Sequence, residues 1–159
     1  MINKNFLQEA NLLDMSKEIF NSVVDENLKV ETRFQLLSSK IQDAETVNFI
    51  LADGLGFLNL QSTDSFLNEY INNSINTTFP SSTNVALTTI ATLKNPIEHG
   101  IFGYYMYDKL NYGLINALNW NAENKDLLQA DYFKNQSSVW NIFKESNTYA
   151  SNFQPKNLI

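Results

Sequence analysis

The chain has 159 residues, 43% of them hydrophobic and 18% charged, with a formal net charge of −6 at neutral pH. That length allows one domain or part of a larger one, and the apolar content excludes global disorder. The acidic balance argues against sequence-independent nucleic-acid binding, while the absence of cysteine excludes disulfides, thiolate zinc ligands and cysteine nucleophiles and leaves His99 as the single histidine.

Lys4, Glu9, Asp14, Lys17 and Glu18 interrupt the apolar residues of the first twenty positions, so no secretory leader is expected there. No apolar run is long enough to span a bilayer, and a cytoplasmic product without membrane contact is the expectation. Asparagine, about one residue in seven, is scattered without period and reflects compositional bias rather than a prion-like segment. Met15, Ile19 and Val23, then Phe34, Leu37 and Ile41, recur at spacings of three and four, which predicts one or two amphipathic helices. Residues 1–44 therefore read as an N-terminal helical segment and 45–159 as a second unit.

The pattern changes at residues 47–52, VNFILA, a nearly continuous apolar run ended by Asp53-Gly54, as expected for a parallel strand covered on both faces. Ser62, Thr63 and Asp64 offer caps for a helix carrying Phe66, Leu67, Tyr70 and Ile71, and Ile75, Thr77 and Phe79 alternate as a second strand. A largely buried helix starts near Thr83, with Val85, Ala86, Leu87, Ile90, Ala91 and Leu93. Residues 96–100 predict a turn, and 102–107 with 114–118 predict extended structure on either side of 108–113. Ser137 and Ser138 cap a helix with Val139, Trp140, Ile142 and Phe143, and a strand is expected over 148–153. Alternation of strand and helix predicts the α/β class.

Asp53, at the end of an apolar strand and followed by Gly54-Leu55-Gly56, stands where open α/β sheets place ligands and metals. The alternative is a strand-ending turn with an exposed carboxylate, and spacing does not separate the two. A dinucleotide fingerprint would need glycine where Asn59 stands. Thr83 and Asn84 open the apolar helix, at the positive end of its dipole, where a phosphate would be well held. A plain capping role for Thr83 is the competing reading.

Three ordered blocks, VNFILADGLG (47–56), TFPSSTNVALTTIATL (78–93) and PIEHGIFGYYMYD (96–108), resemble the type I phosphodiesterase and nucleotide pyrophosphatase family of the alkaline phosphatase superfamily. The resemblance covers residues 47–153 and implies an alkaline-phosphatase-like parallel sheet with helices on both faces. It also implies a metal-dependent phosphoester hydrolase acting on phosphodiesters or pyrophosphates. By the same resemblance Asp53 would bind a divalent metal and Thr83 would be the nucleophile and touch the metal. Two divalent ions, zinc in most of the family, would be the cofactors, and Asn84 and Tyr104 would face a small phosphoester substrate. Chemically this is coherent, because a threonine hydroxyl is a poor nucleophile until its environment favours the alkoxide.

Departures from the family pattern are specific. Tyr104 stands where many nucleotide phosphodiesterases carry an asparagine that holds a phosphate oxygen, and Thr92-Leu93 replaces the usual Thr-Gly helix end. His99 lies in a turn that the family does not use for metal and reads as a packing histidine. No histidine follows it, so the downstream Asp and His ligands of the family are missing. The expectation is an amino-terminal fragment, inactive alone, with a C-terminal half as partner and with apolar positions around Phe102, Trp120 and Trp140 left uncovered. A non-catalytic α/β binding or complementation module is the alternative.

Overall fold

The computed structural model describes residues 9–37, 41, 44–109, 113–118, 121–122, 136–146 and 148–153. Helix α1, Leu12–Asn21, begins at Asn11, whose side chain accepts the N–H groups of Leu13 and Asp14 while the Asp14 carboxylate accepts the N–H of Asn11. This reciprocal cap satisfies donors that a helix start leaves open. The face that α1 buries is not purely apolar: Leu12 and Phe20 share it with Asp14 and Ser16. Asp14 is tolerated there because Arg33 donates to both of its oxygens, at 2.9 and 2.7 Å, and the bond holds the guanidinium charged above its ordinary range. Glu18 accepts the N–H groups of Leu36 and Leu37, so the extended segment after α1 is strapped back onto it. Of the one or two helices expected here, α1 is one; a short 3₁₀ turn, Glu26–Leu28, follows it, and residues 38–40 and 42–43 of the Phe34, Leu37 and Ile41 pattern lie outside the described residues.

Helix α2 is Phe57–Gln61, followed by a 3₁₀ turn at Phe66–Tyr70 capped by Ser65. Of the helix expected over 62–71 only this 3₁₀ turn is present, and α2 lies before it. Its capping cluster competes with it locally, since Thr63 donates its hydroxyl to the Leu60 carbonyl and accepts Asn68 Nδ2 on its own carbonyl. Helix α3 is Thr83–Thr92 and buries Asn84, Val85 and Thr89. It ends at Leu93 in the left-handed region, φ 53°, a conformation that costs a residue with a Cβ about 1 kcal/mol. Leu93 holds it while its side chain packs against Phe20, Val24 and Val139. The expected turn at 96–100 is a short helix, α4, Pro96–His99, closed by Gly100 at φ 73°.

Strands β1, Tyr105–Asp108, and β2, Gly113–Asn116, lie where the sequence predicts extended structure; they pair antiparallel, and β3, Asn121–Ala122, pairs with β2. Helix α5, Val139–Glu145, starts after Ser138 and stacks Phe143 on Phe20 of α1, ring centroids 5.6 Å apart. A second small core joins Val85 of α3 to Ile101 and Ala117, with Met106 against it.

Helices and a three-stranded antiparallel sheet are thus present, and the expected parallel sheet is not seen among the described residues. Residues 47–52 form no strand there, and Phe49, Ile50 and Leu51 are exposed. Residues 75–79 contribute only an isolated parallel bridge between Asn11 and Asn76, and 148–153 form no described strand. An extended segment becomes a strand only when a neighbour takes its N–H and C=O groups, and apolar content alone does not supply one. Phe102 and Trp140 are partly exposed, whereas Trp120 lies outside the described residues.

Candidate active site

Three chain segments converge on one oxygen. Residues 47–52 lead to Asp53, whose turn is closed by Gly54 at φ 75°, a conformation glycine adopts without the Cβ penalty. Gly56, by contrast, is at φ −79° and needs no such freedom. Thr83 is the first residue of α3, and Ser82 holds the N-cap position, so Thr83 is not the cap. Its Oγ donates to Asp53 Oδ2 at 3.1 Å across thirty residues of sequence. The same Oγ lies 3.1 Å from the phenolic oxygen of Tyr104, just before β1.

Asn84 sits behind this contact rather than beside it. It is 3% exposed; its Oδ1 accepts the hydroxyl of Ser82 at 2.9 Å and its Nδ2 donates to the Gly103 carbonyl at 2.5 Å. Asn84 therefore ties the start of α3 to the segment that delivers Tyr104. Ser82 and Gly103 were not singled out by sequence reasoning. The available signal was a Ser and an Asn two residues apart at a helix start, a spacing that often marks side chains bonding locally. Ser82 donates its hydroxyl to Asn84 and makes no side-chain cap bond to the first-turn N–H groups of α3, which lie at the positive end of the helix dipole near Thr83.

His99 is 1% exposed and takes no part in this cluster. Its Nδ1 accepts the N–H of Ile101 at 3.1 Å, which fixes the proton on Nε2 and makes Nε2–H the donor to Thr89 Oγ at 3.0 Å. Burial pushes its pKa below the ordinary 6.5. A depressed value means that the unfolded chain binds the proton more readily. The stability held by neutral His99 is then fully present above about pH 6.5 and is lost as pH falls through that value toward the folded-state pKa. Thermal unfolding at pH 7.5 and 5.5 should show a smaller fall in Tm for His99→Gln than for the natural chain, although the variant starts lower.

The metal implied by the sequence resemblance can be tested against these side chains. Asp53 Oδ2 and Thr83 Oγ are adjacent oxygens, and Asp53 Oδ1 accepts no hydrogen bond among the described residues. Among the described residues, however, no group of three or more His, Cys, Asp or Glu could hold an ion. The buried His99 is occupied by Thr89 and Ile101. Two oxygen donors do not make a four-coordinate zinc site, so the residues described do not by themselves fit the group.

The family model for type I phosphodiesterase / nucleotide pyrophosphatase matches residues 47–156. The chain belongs to that family. The match includes Asp53, Thr83 and Tyr104 and about the span read from the three sequence blocks. No match was found among curated proteins or among solved structures. Family membership gives a phosphodiesterase or pyrophosphatase type of function, in a family that is generally metal-dependent, with a small phosphoester as the class of substrate. No helix among the described residues is long and apolar enough to cross a membrane.

Proposed function

We propose that this chain carries the nucleophile half of a phosphoester hydrolase acting on phosphodiesters or pyrophosphates, with Thr83 as the nucleophile. The observation that supports it most is the 3.1 Å bond from Thr83 Oγ to Asp53 Oδ2, within a chain of this family. Thr83 Oγ would attack phosphorus, its proton leaving along the bond to Asp53, and the ester oxygen opposite would depart with a proton from solvent. Water would then cleave the phosphothreonine ester and restore the hydroxyl. First-turn N–H groups of α3 would offset negative charge on the phosphoryl oxygens. Tyr104 faces the same position, and Asn84 would serve the substrate from behind, by fixing the segment that carries Tyr104.

Asp53 and Thr83 would supply two oxygen donors toward divalent ions, zinc by the family's usual choice. Such ions, once bound, favour the alkoxide form of a coordinated hydroxyl and offset phosphoryl charge. The remaining donors would come from outside the described residues, and our reading places them on a further polypeptide that completes the site, in the cytoplasm. A second reading, a non-catalytic module that pairs with another polypeptide, is favoured by one observation: the apolar, strand-like residues Phe49, Ile50 and Leu51 are left exposed.

The experiment that separates them is hydrolysis of bis-p-nitrophenyl phosphate. Residues 1–159 with added zinc should show no significant turnover, and the chain extended by, or mixed with, a polypeptide supplying Asp and His ligands should show it. Turnover by residues 1–159 alone would contradict the need for completion, and none from a completed, zinc-loaded protein would favour the module.

A further inference from the structure

We infer that His99 is a positioning residue for Thr83: its neutral ring fastens the segment that follows α4 onto α3, and this seats Gly103 on Asn84 beside the nucleophile. The inference rests on the reading of Thr83 as the nucleophile.

Residues 99, 101 and 103 meet α3 at successively earlier positions. His99 Nε2–H donates to Thr89 Oγ at 3.0 Å, Ile101 packs with Val85, and the Gly103 carbonyl accepts Asn84 Nδ2 at 2.5 Å. The segment therefore runs back along α3 toward its first turn, with alternate residues turned to the helix. His99, Ile101, Thr89, Val85 and Asn84 are all buried, whereas the intervening Phe102 is 50% exposed. Asn84 follows Thr83 directly and also accepts the Ser82 hydroxyl, so the last of these contacts lies at the helix start that carries Thr83 Oγ.

The ring sets the register of this segment. Apolar contact between Ile101 and Val85 is non-directional and by itself lets the two chains slide. His99 adds direction at both nitrogens, because Nε2–H is bonded to α3 and Nδ1 accepts the buried Ile101 N–H at 3.1 Å. Protonation removes only the second bond. Nδ1–H would face the Ile101 N–H, donor against donor, and would push the segment away from α3 two residues before Gly103.

The surroundings favour the neutral form. Burial acts most strongly and lowers the pKa, a backbone hydrogen bond and Glu98 on its own helix act the other way, and Lys94 between α3 and α4 lowers it again. Helix α3 carries no ionisable side chain, and neither do Met106 and Ala117, which pack with Ile101. The fastened arrangement is thus the one present at neutral pH, and it is lost as pH falls through the folded-state pKa, below 6.5. A displacement of a nucleophile by a fraction of an ångström to one ångström lowers the rate by roughly 10–100-fold.

Two measurements test it. His99 is the chain's single histidine, so the ring ¹⁵N signals of residues 1–159 need no assignment. At pH 7.5 they should report Nδ1 without a proton, and they should titrate with a midpoint below 6.5. Coupling is reciprocal: if neutral His99 holds Gly103 on Asn84, removing the Asn84 amide must ease protonation of His99. Asn84→Ala, examined below its own Tm, should therefore raise the midpoint, and an unmoved midpoint in the folded variant would overturn the coupling. The second measurement stands whether or not that variant folds. In the metal-loaded, completed protein, Thr83 labelling by an aryl phosphodiester is compared between the natural chain and His99→Asn, which keeps an acceptor for the Ile101 N–H and cannot titrate. His99→Asn should retain most of the rate at pH 7.5, and the ratio of natural to variant rate should fall about 10-fold or more as pH drops through the His99 midpoint. Titrations common to both proteins cancel in that ratio. His99→Leu, which fills the space without an acceptor, should label slowly at every pH with KM little changed. A ratio independent of pH, or His99→Leu labelling at the natural rate, would overturn the positioning role. If the label falls on a residue other than Thr83, the nucleophile assignment fails, while a raised midpoint in Asn84→Ala still establishes the coupling of His99 to the start of α3.

Discussion

Thr83→Ala is expected to remove phosphodiester turnover from the completed, metal-loaded protein, by about 10³-fold or more in kcat. Thr83 Oγ is the oxygen at which the Asp53 carboxylate and the Tyr104 phenol meet, and alanine leaves no atom there to form the ester. Stability should change little, because Thr83 is the first residue of α3 and not its cap, and alanine is well accepted in a helical first turn. A Tm close to that of the natural chain together with lost turnover separates the chemical role from a structural one. Thr83→Ser is the informative partner, since it restores the hydroxyl and should recover much of the rate.

Asp53→Asn should lower turnover by about 100-fold or more, with metal occupancy falling in parallel when measured by elemental analysis after dialysis. The amide is isosteric, so the turn at Gly54 is preserved. It is neutral, however, which weakens it as a donor to a divalent ion. It can also present an N–H to Thr83 Oγ, competing for the lone pair that would attack. If Asp53 acted only in orienting Thr83, rate would fall and metal content would not. Occupancy therefore discriminates between its two roles.

What was legible in the sequence was local. A helix start near Thr83, extended structure on either side of residues 108–113 and a helix start after Ser138 follow from residue types and apolar patterning over a few residues, although neither Ser82 nor Ser138 makes a side-chain cap bond. His99 as a packing residue is also seen, held by Thr89 and Ile101. The approach of Asp53 to Thr83, thirty residues apart, was accessible only through the ordered blocks, since neither periodicity nor spacing encodes it.

The strands at 47–52, 75–79 and 148–153 were misjudged for one physical reason. A run such as VNFILA reports a preference for burial, but strand formation also requires a partner edge, and that is a property of distant sequence. Buried polar residues were illegible for the converse reason. Asp14, Asn84 and Thr89 look like surface residues by type, and each is buried because a specific partner, Arg33, Gly103 or His99, satisfies it. The apolar residues expected to fill the core of α3, among them Leu87 and Ile90, are only half-buried.

The assignment of Thr83 as nucleophile is tested most directly by trapping the ester. The completed, metal-loaded protein is mixed with bis-p-nitrophenyl phosphate, quenched in acid within the first turnovers and digested for peptide mass spectrometry. The account predicts a p-nitrophenyl phosphate group on the peptide containing Thr83, formed with release of one equivalent of p-nitrophenolate and absent in Thr83→Ala. Steady turnover with an unmodified Thr83 peptide, or with the same adduct on another residue, would contradict it.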